Sequence, residues 1–214
     1  MPALLVKTDT SASMRRALNN AKDVILSGGV VALPTESFYG LSVSVMDEDA
    51  IQRLMLIKKR PERNPILILI SAVDELDRYV LQAPPVAGKL IRRFWPGGLT
   101  LVFQGRESLS PMLTSGTGQI GVRLSSHPVP TELARLTGVA ITGTSANVSG
   151  ESPCRSAPEV MEALGQDIDL VIDGGETQGG NPSTVLDITV QPPEILREGM
   201  VSRDLLMPFL RGID

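Results

Sequence analysis

The chain has 214 residues, 42% of them hydrophobic and 21% charged, which is enough apolar material for one buried core and too much for a disordered chain. Twenty basic against 24 acidic residues leave a net charge of −4, excluding a surface that is basic throughout but not a local basic site. One histidine (His127) and one cysteine (Cys154) exclude a Cys/His zinc centre within one chain and a disulfide framework, and any imidazole chemistry would have to use His127 itself.

No basic stretch followed by an apolar run opens the chain, so its start does not read as a signal peptide. The longest aliphatic run, 66–70, is far short of the ~20 residues that cross a bilayer. A soluble, cytoplasmic protein without membrane attachment is expected. Met14, Ala17, Leu18, Ala21, Val24 and Ile25 recur at three- and four-residue spacing and predict a helix over 13–27, stopped by Gly28-Gly29. A short strand over 30–33 ends at Pro34. Asp47 is placed to cap a second helix with Ala50, Ile51, Leu54, Met55 and Ile57 on one face, closed by Pro61. Pro65 then opens the stretch 66–70, apolar on both faces and so expected inside a sheet. Helices are predicted over 73–80 and 86–94, followed by a strand over 99–103. Further strands are predicted at 121–124, 139–141, 169–172, 184–188 and 195–197, and further helices at 129–136, 158–164 and 202–210. Ser156-Ala157-Pro158-Glu159 has the capping-box spelling. The irregular interleaving predicts an α/β fold, a mixed sheet with helices packed on it. No repeat, low-complexity segment or linker divides it, so a single domain is expected.

Several spellings lead nowhere. Gly116-Thr117-Gly118-Gln119-Ile120-Gly121 matches G-x-G-x-x-G, but a strand rather than a helix follows it, which favours a loop over a dinucleotide site. No P-loop sequence is present. Asn147-Val148-Ser149 spells a glycosylation sequon without secretory context. His127 precedes Pro128 at a turn and reads as turn packing, and Cys154, with no base beside it in sequence, reads as a small, partly buried thiol.

Two polar clusters remain. Lys58, Lys59, Arg60 and Arg63 place four cations in six residues where a helix ends, with Pro61 and Pro65 stiffening the loop and Asn64 adding an amide. Such a run suits either a solvated helix C-terminus or a polyphosphate clamp. Thr142-Gly143-Thr144-Ser145-Ala146-Asn147-Val148-Ser149-Gly150 follows a predicted strand, where open α/β sheets bind ligands, and reads either as such a site or as a Ser/Asn-rich turn. Thr35, Arg123, Arg155, Ser183 and Arg197 add hydroxyls and guanidiniums, together describing a cavity with few carboxylates.

Pro34-Thr35-Glu36-Ser37-Phe38-Tyr39-Gly40-Leu41, Lys58-Lys59-Arg60-Pro61, Trp95-Pro96-Gly97-Gly98-Leu99-Thr100-Leu101, Gly121-Val122-Arg123, Ser145-Ala146-Asn147-Val148-Ser149-Gly150 and Ser183-Thr184-Val185-Leu186-Asp187 together resemble the YrdC-like family of L-threonylcarbamoyladenylate synthases. Ser152-Pro153-Cys154-Arg155-Ser156 is similar to the short bacterial TsaC-like branch, so one YrdC-like domain over 1–214, core at about 13–200, is expected without an extra C-terminal domain. The resemblance implies a twisted open mixed sheet flanked by helices around a large basic concave cavity. It implies a nucleotidyltransferase joining L-threonine, bicarbonate or CO2 and ATP into threonylcarbamoyl-AMP and pyrophosphate, with Mg2+ held mainly by the ATP phosphates. A separate transferase complex would then modify tRNA next to the anticodon, and tRNA or double-stranded RNA is a further partner to expect.

By the same resemblance, Lys58, Arg60, Ser145 and Asn147 carry catalysis. Arg60, Asn64, Gln119, Asn147, Arg155 and Arg197 bind ATP, and Thr35, Arg123, Ser145 and Ser183 bind threonine. Leu69 stands where several relatives have histidine, Phe38 where a smaller aliphatic residue is common, and the turn after Arg123 lacks a usual proline. Rival readings are a non-catalytic RNA-binding module, for which one Trp, two Tyr and four Phe leave little base stacking, and a YciO-like paralogue of different substrate. A third, the carbamoyl-adenylate-forming domain of hydrogenase maturation proteins, normally sits in a much longer chain.

Overall fold

The computed structural model describes residues 2–59 and 65–210. After a first strand, β1 (Leu4–Lys7), helix α1 (Ser11–Leu26) begins where Thr10 and Ser13 each accept the other's backbone N–H, and it buries Ala17, Leu18, Ala21 and Ile25 along the predicted stripe. β2 (Val31–Pro34) turns into β3 (Tyr39–Ser42), and α2 (Glu48–Ile57) starts as predicted, with Asp47 Oδ1 accepting Ala50 N–H at 2.9 Å. There follow β4 (Ile68–Leu69), a 3-10 helix (Val73–Arg78), α3 (Pro85–Phe94), β5 (Leu99–Gln104), α4 (Pro111–Thr114), β6 (Gln119–Arg123) and α5 (Pro128–Thr137). The remainder comprises β7 (Ile141–Thr142), β8 (Thr144–Ser145), α6 (Ala157–Leu164), β9 (Leu170–Asp173), β10 (Thr184–Asp187), β11 (Glu194–Arg197) and α7 (Arg203–Leu210).

The strands divide between two mixed, open sheets rather than the one expected, ordered β1-β9-β2-β3-β8 and β11-β10-β5-β6-β4-β7. The chain crosses between them at Gly143. A Cβ there would lie 2.6 Å from Leu67 Cδ1, so this crossing needs glycine. Register then sorts the side chains. In the antiparallel β5–β6 pair Leu101 faces Val122 and Phe103 faces Ile120, and all four enter the larger core with Ile68, Leu186, Val86 and Leu90. The alternate positions, Thr100, Val102, Gln119, Gly121 and Arg123, turn to the opposite face. A second core packs α1 and α5, through Leu18, Ile25, Val129 and Leu133, on Val31, Leu33, Leu170 and Ile172.

Several predicted elements shift. Within 66–70 the strand is Ile68–Leu69, between β6 and β7 and thus inside its sheet; Leu67 O and the Ile70 N–H add bonds to Gly143 and Arg123, while the Ile66 N–H goes to Leu113 O. The helix predicted over 73–80 is the 3-10 turn Val73–Arg78, which buries only Leu76 and so lacks an apolar stripe. The capping box at α6 is half made: Ser156 Oγ accepts from Glu159 N–H, but Glu159 Oε2 takes the Arg155 N–H at 2.7 Å. His127 Nδ1 accepts from Val129 N–H and caps α5, in keeping with a turn role. Gly116 and Gly118 lie at φ +72° and +73°, in a loop leading into β6, as the loop reading requires. Among the described residues no helix is long and apolar enough to cross a membrane.

Candidate functional site

The exposed face of the larger sheet and the ends of β2, β3 and β8 enclose a cavity of about 600 Å³, the size range of small-ligand sites. β6 delivers Gln119 and Arg123, β11 delivers Arg197, and the turn before β10 delivers Ser183. Thr35 follows β2, Ser145 ends β8, and Asn147 lies just beyond. All seven line the cavity. Arg155 does not: it is exposed and pairs with Glu176 at 2.9 Å. Arg60 and Asn64 lie outside the described residues.

Lys58, the C-cap of α2, is fully buried below the cavity wall rather than in its lining. Its ammonium donates to Ser145 O, to Asn147 O at 2.8 Å and to Asn147 Oδ1 at 3.3 Å. Asn147 is held further by its amide, which donates to Val148 O and Glu151 O, and Ser145 Oγ donates to Asn147 Oδ1. The Lys-x-Arg and Ser-x-Asn motifs are therefore one hydrogen-bonded unit at the Lys58 end.

Arg123 is 6% exposed. One Nη2 contact reaches Glu36 Oε2 at 3.4 Å, and its buried Nε has no acceptor among the described residues. Burial pushes this guanidinium below its ordinary pKa, and Glu36 pushes it back. Arg197 is lowered too, by burial and by the like charge of Arg123. It donates to Ser183 O at 2.8 Å and Ser183 Oγ at 3.2 Å, and Ser183 Oγ is also bonded to Thr100. Thr35 Oγ1 donates to Phe38 O at 2.7 Å, closing the turn between β2 and β3. Gln119 Nε2 donates to Thr189 Oγ1. Tyr39 is a neutral phenol pushed up to about 12 by burial, donating to Gly175 O.

The Arg123 guanidinium and the Ser183 hydroxyl can donate to a carboxylate or phosphate oxygen, while the Thr35 and Ser145 hydroxyls, whose protons go to Phe38 O and Asn147 Oδ1, offer acceptors. Among the described lining residues only Arg123 and Arg197 are cationic and Glu151 is anionic, so what they form is a mixed polar and apolar cavity rather than a large basic surface. Leu69, register partner of Arg123, and Phe38 supply apolar wall beside the guanidinium. Sequence reasoning passes over Glu36, Ser125 and Thr100 as partners. The one available signal is a carboxylate, Glu36, standing among hydroxyls in the 34–41 motif.

Cys154 is buried, and burial raises its thiol pKa. In the native protein it should react with a disulfide reagent at pH 8 about 100-fold more slowly than a free cysteine, and at the free rate once denaturant is added. Rapid native labelling would show that the segment carrying it opens.

The model of the Sua5/YciO/YrdC family, described as "Telomere recombination", matches residues 23–199. The threonylcarbamoyl-AMP synthase of Pyrococcus abyssi is 40% identical over 179 residues, 84% of this chain but 53% of that protein, so the chain spans about half the length of this relative. The crystal structure of P. abyssi Sua5 complexed with L-threonine superposes with a TM-score of 0.90 at 34% identity, covering 99% of this chain and 61% of the other. Escherichia coli YciO superposes at 0.84 with 29% identity, covering 97% and 98%.

Proposed function

The chain belongs to the Sua5/YciO/YrdC family, and from that membership we propose that it synthesises L-threonylcarbamoyl-AMP from L-threonine, bicarbonate or CO2 and ATP. The observation that carries this reading is Arg123: a buried guanidinium that lines one cavity with Thr35, Ser145 and Ser183. That set fits an amino-acid carboxylate and its polar neighbours. The threonine-bound P. abyssi relative, similar over nearly all of this chain, supports the choice of amino acid.

The amine of threonine and CO2 form a carbamate. A carbamate oxygen attacks the α-phosphorus of ATP, the bond to the bridging oxygen breaks, and pyrophosphate leaves. This needs no protein base once the carbamate exists, in keeping with a single histidine engaged as a helix cap. Arg197, Gln119 and Asn147 are assigned to the nucleotide, together with Arg60, Asn64 and, from outside the lining, Arg155. Because Lys58 reaches the Ser145–Asn147 turn, its role in this reading is to hold that turn in shape beneath the nucleotide. Mg2+ would arrive with the ATP phosphates and be held mainly by them and water. The product would pass to a transferase complex that acts on tRNA. A cavity of about 600 Å³ is of the size that suits a small substrate.

Pyrophosphate release from MgATP should require L-threonine and bicarbonate together, with serine and glycine giving less than about a tenth of the rate; a loss of one methyl contact is worth roughly tenfold or more. Release without threonine, or none from folded protein that binds ATP, would overturn the reading. Binding RNA but no ATP would favour the non-catalytic rival.

A further inference from the structure

We infer that Glu36 is a positioning residue for the substrate carboxylate: it tethers one side of the guanidinium of Arg123, a residue that lines the cavity. This rests on the synthase reading above. Glu36 and Arg123 are both buried, with side-chain exposures of 9% and 7%. The carboxylate's short bond is not to the arginine. Oε2 accepts from Ser125 Oγ at 2.6 Å, and Oε1 accepts from Ser126 N–H at 3.4 Å. Ser125 is fixed in turn, its Oγ accepting His127 N–H and its carbonyl accepting Thr131 Oγ1. The turn after β6 thus sets where Glu36 stands, and Arg123 receives from it one long contact of 3.4 Å. A full ion pair would occupy both edges of the fork. The Nε of Arg123 is buried and has no acceptor among the described residues, so Glu36 holds the guanidinium by its Nη2 alone.

The test is calorimetry of L-threonine and of ATP on wild type, Glu36→Ala and Glu36→Gln, each checked by thermal melting. Glu36→Ala should weaken threonine binding about tenfold and leave ATP within about twofold, while Glu36→Gln, which keeps an acceptor for Ser125 and Arg123, should recover to within about threefold. On an Arg123→Lys background, where the fork is already gone, Glu36→Ala should add less than about twofold. If Glu36→Ala does not fold, Ser125→Ala, which frees the same carboxylate, should weaken threonine about threefold with ATP unchanged. Unchanged threonine binding, equal losses for threonine and ATP, or additivity with Arg123→Lys overturns the tether alone. A wild type that binds ATP but no threonine overturns the synthase reading, and the tether with it.

Discussion

Replacing Arg123 by lysine should weaken L-threonine binding about 100-fold, some 2.7 kcal/mol, while ATP affinity changes by less than about twofold. Lysine keeps the positive charge opposite Glu36, so the buried carboxylate is not abandoned and the fold should survive. What disappears is the planar fork. A single ammonium on a flexible stem cannot serve Glu36 and a substrate carboxylate in one fixed geometry. Arg197 sits close enough for the Arg123 charge to lower its pKa, yet its Nε and Nη2 already donate to Ser183, so that edge of its fork is not open to a second carboxylate. Calorimetry with each substrate separately reads the result. A variant that binds threonine like wild type would remove Arg123 from the carboxylate site, and equal losses for threonine and ATP would make it a general scaffold residue.

Lys58→Met should lower the melting temperature by about 10 °C and reduce adenylate formation at least 100-fold. Methionine matches the stem of the lysine but leaves Ser145 O, Asn147 O and Asn147 Oδ1 without the ammonium that now joins them. Asn147 Oδ1 still accepts from Ser145 Oγ and Ser145 O from the Asn147 N–H, so Asn147 O is the acceptor orphaned outright; its cost of about 1–3 kcal/mol, with two further charge-assisted bonds lost, makes roughly 3 kcal/mol the expected loss. This runs against a simple reading of the Lys-x-Arg motif as an exposed phosphate clamp, which predicts inactivity in a protein as stable as wild type. A melting temperature within about 2 °C of wild type alongside lost activity would restore the clamp. Full activity would remove Lys58 from the site.

The elements legible in the sequence are those whose signal is local. α1 carries its stripe within 16 residues and α2 its cap three residues from the bonded amide, so both buried faces and the start of α2 follow from spacing, while α1 begins at Ser11, two residues before the expected 13. β5 and β10 are aliphatic runs of ordinary strand composition. By contrast, β3 and β8 are built of Tyr39-Gly40-Leu41-Ser42 and Thr144-Ser145, which look like turn residues; β3 is a strand because it folds back on β2 in a hairpin and pairs with β8 about 100 residues on, and β8 because it pairs with β3. β1 is mostly exposed and exists by pairing in parallel with β9, more than 160 residues away, where Thr8 also bonds Asp173.

The site divides the same way. Thr35, Arg123, Ser145, Asn147 and Ser183 are recognisable as polar residues just beyond or at the ends of strands, and the structure gathers them with Gln119 and Arg197 around one cavity. Arg155, equally polar and equally placed in its motif, faces Glu176 instead. By itself the sequence determined the family motifs, the helical faces and the types of chemical group available, because these depend on composition and on spacings of a few residues. Only the tertiary structure decided that there are two sheets, that Lys58 turns inward beneath Ser145 and Asn147, and that Glu36 meets Arg123 across 87 positions. Those outcomes depend on which strand edges pair and in what register. A side chain's direction flips with a shift of one residue, and nothing local encodes it.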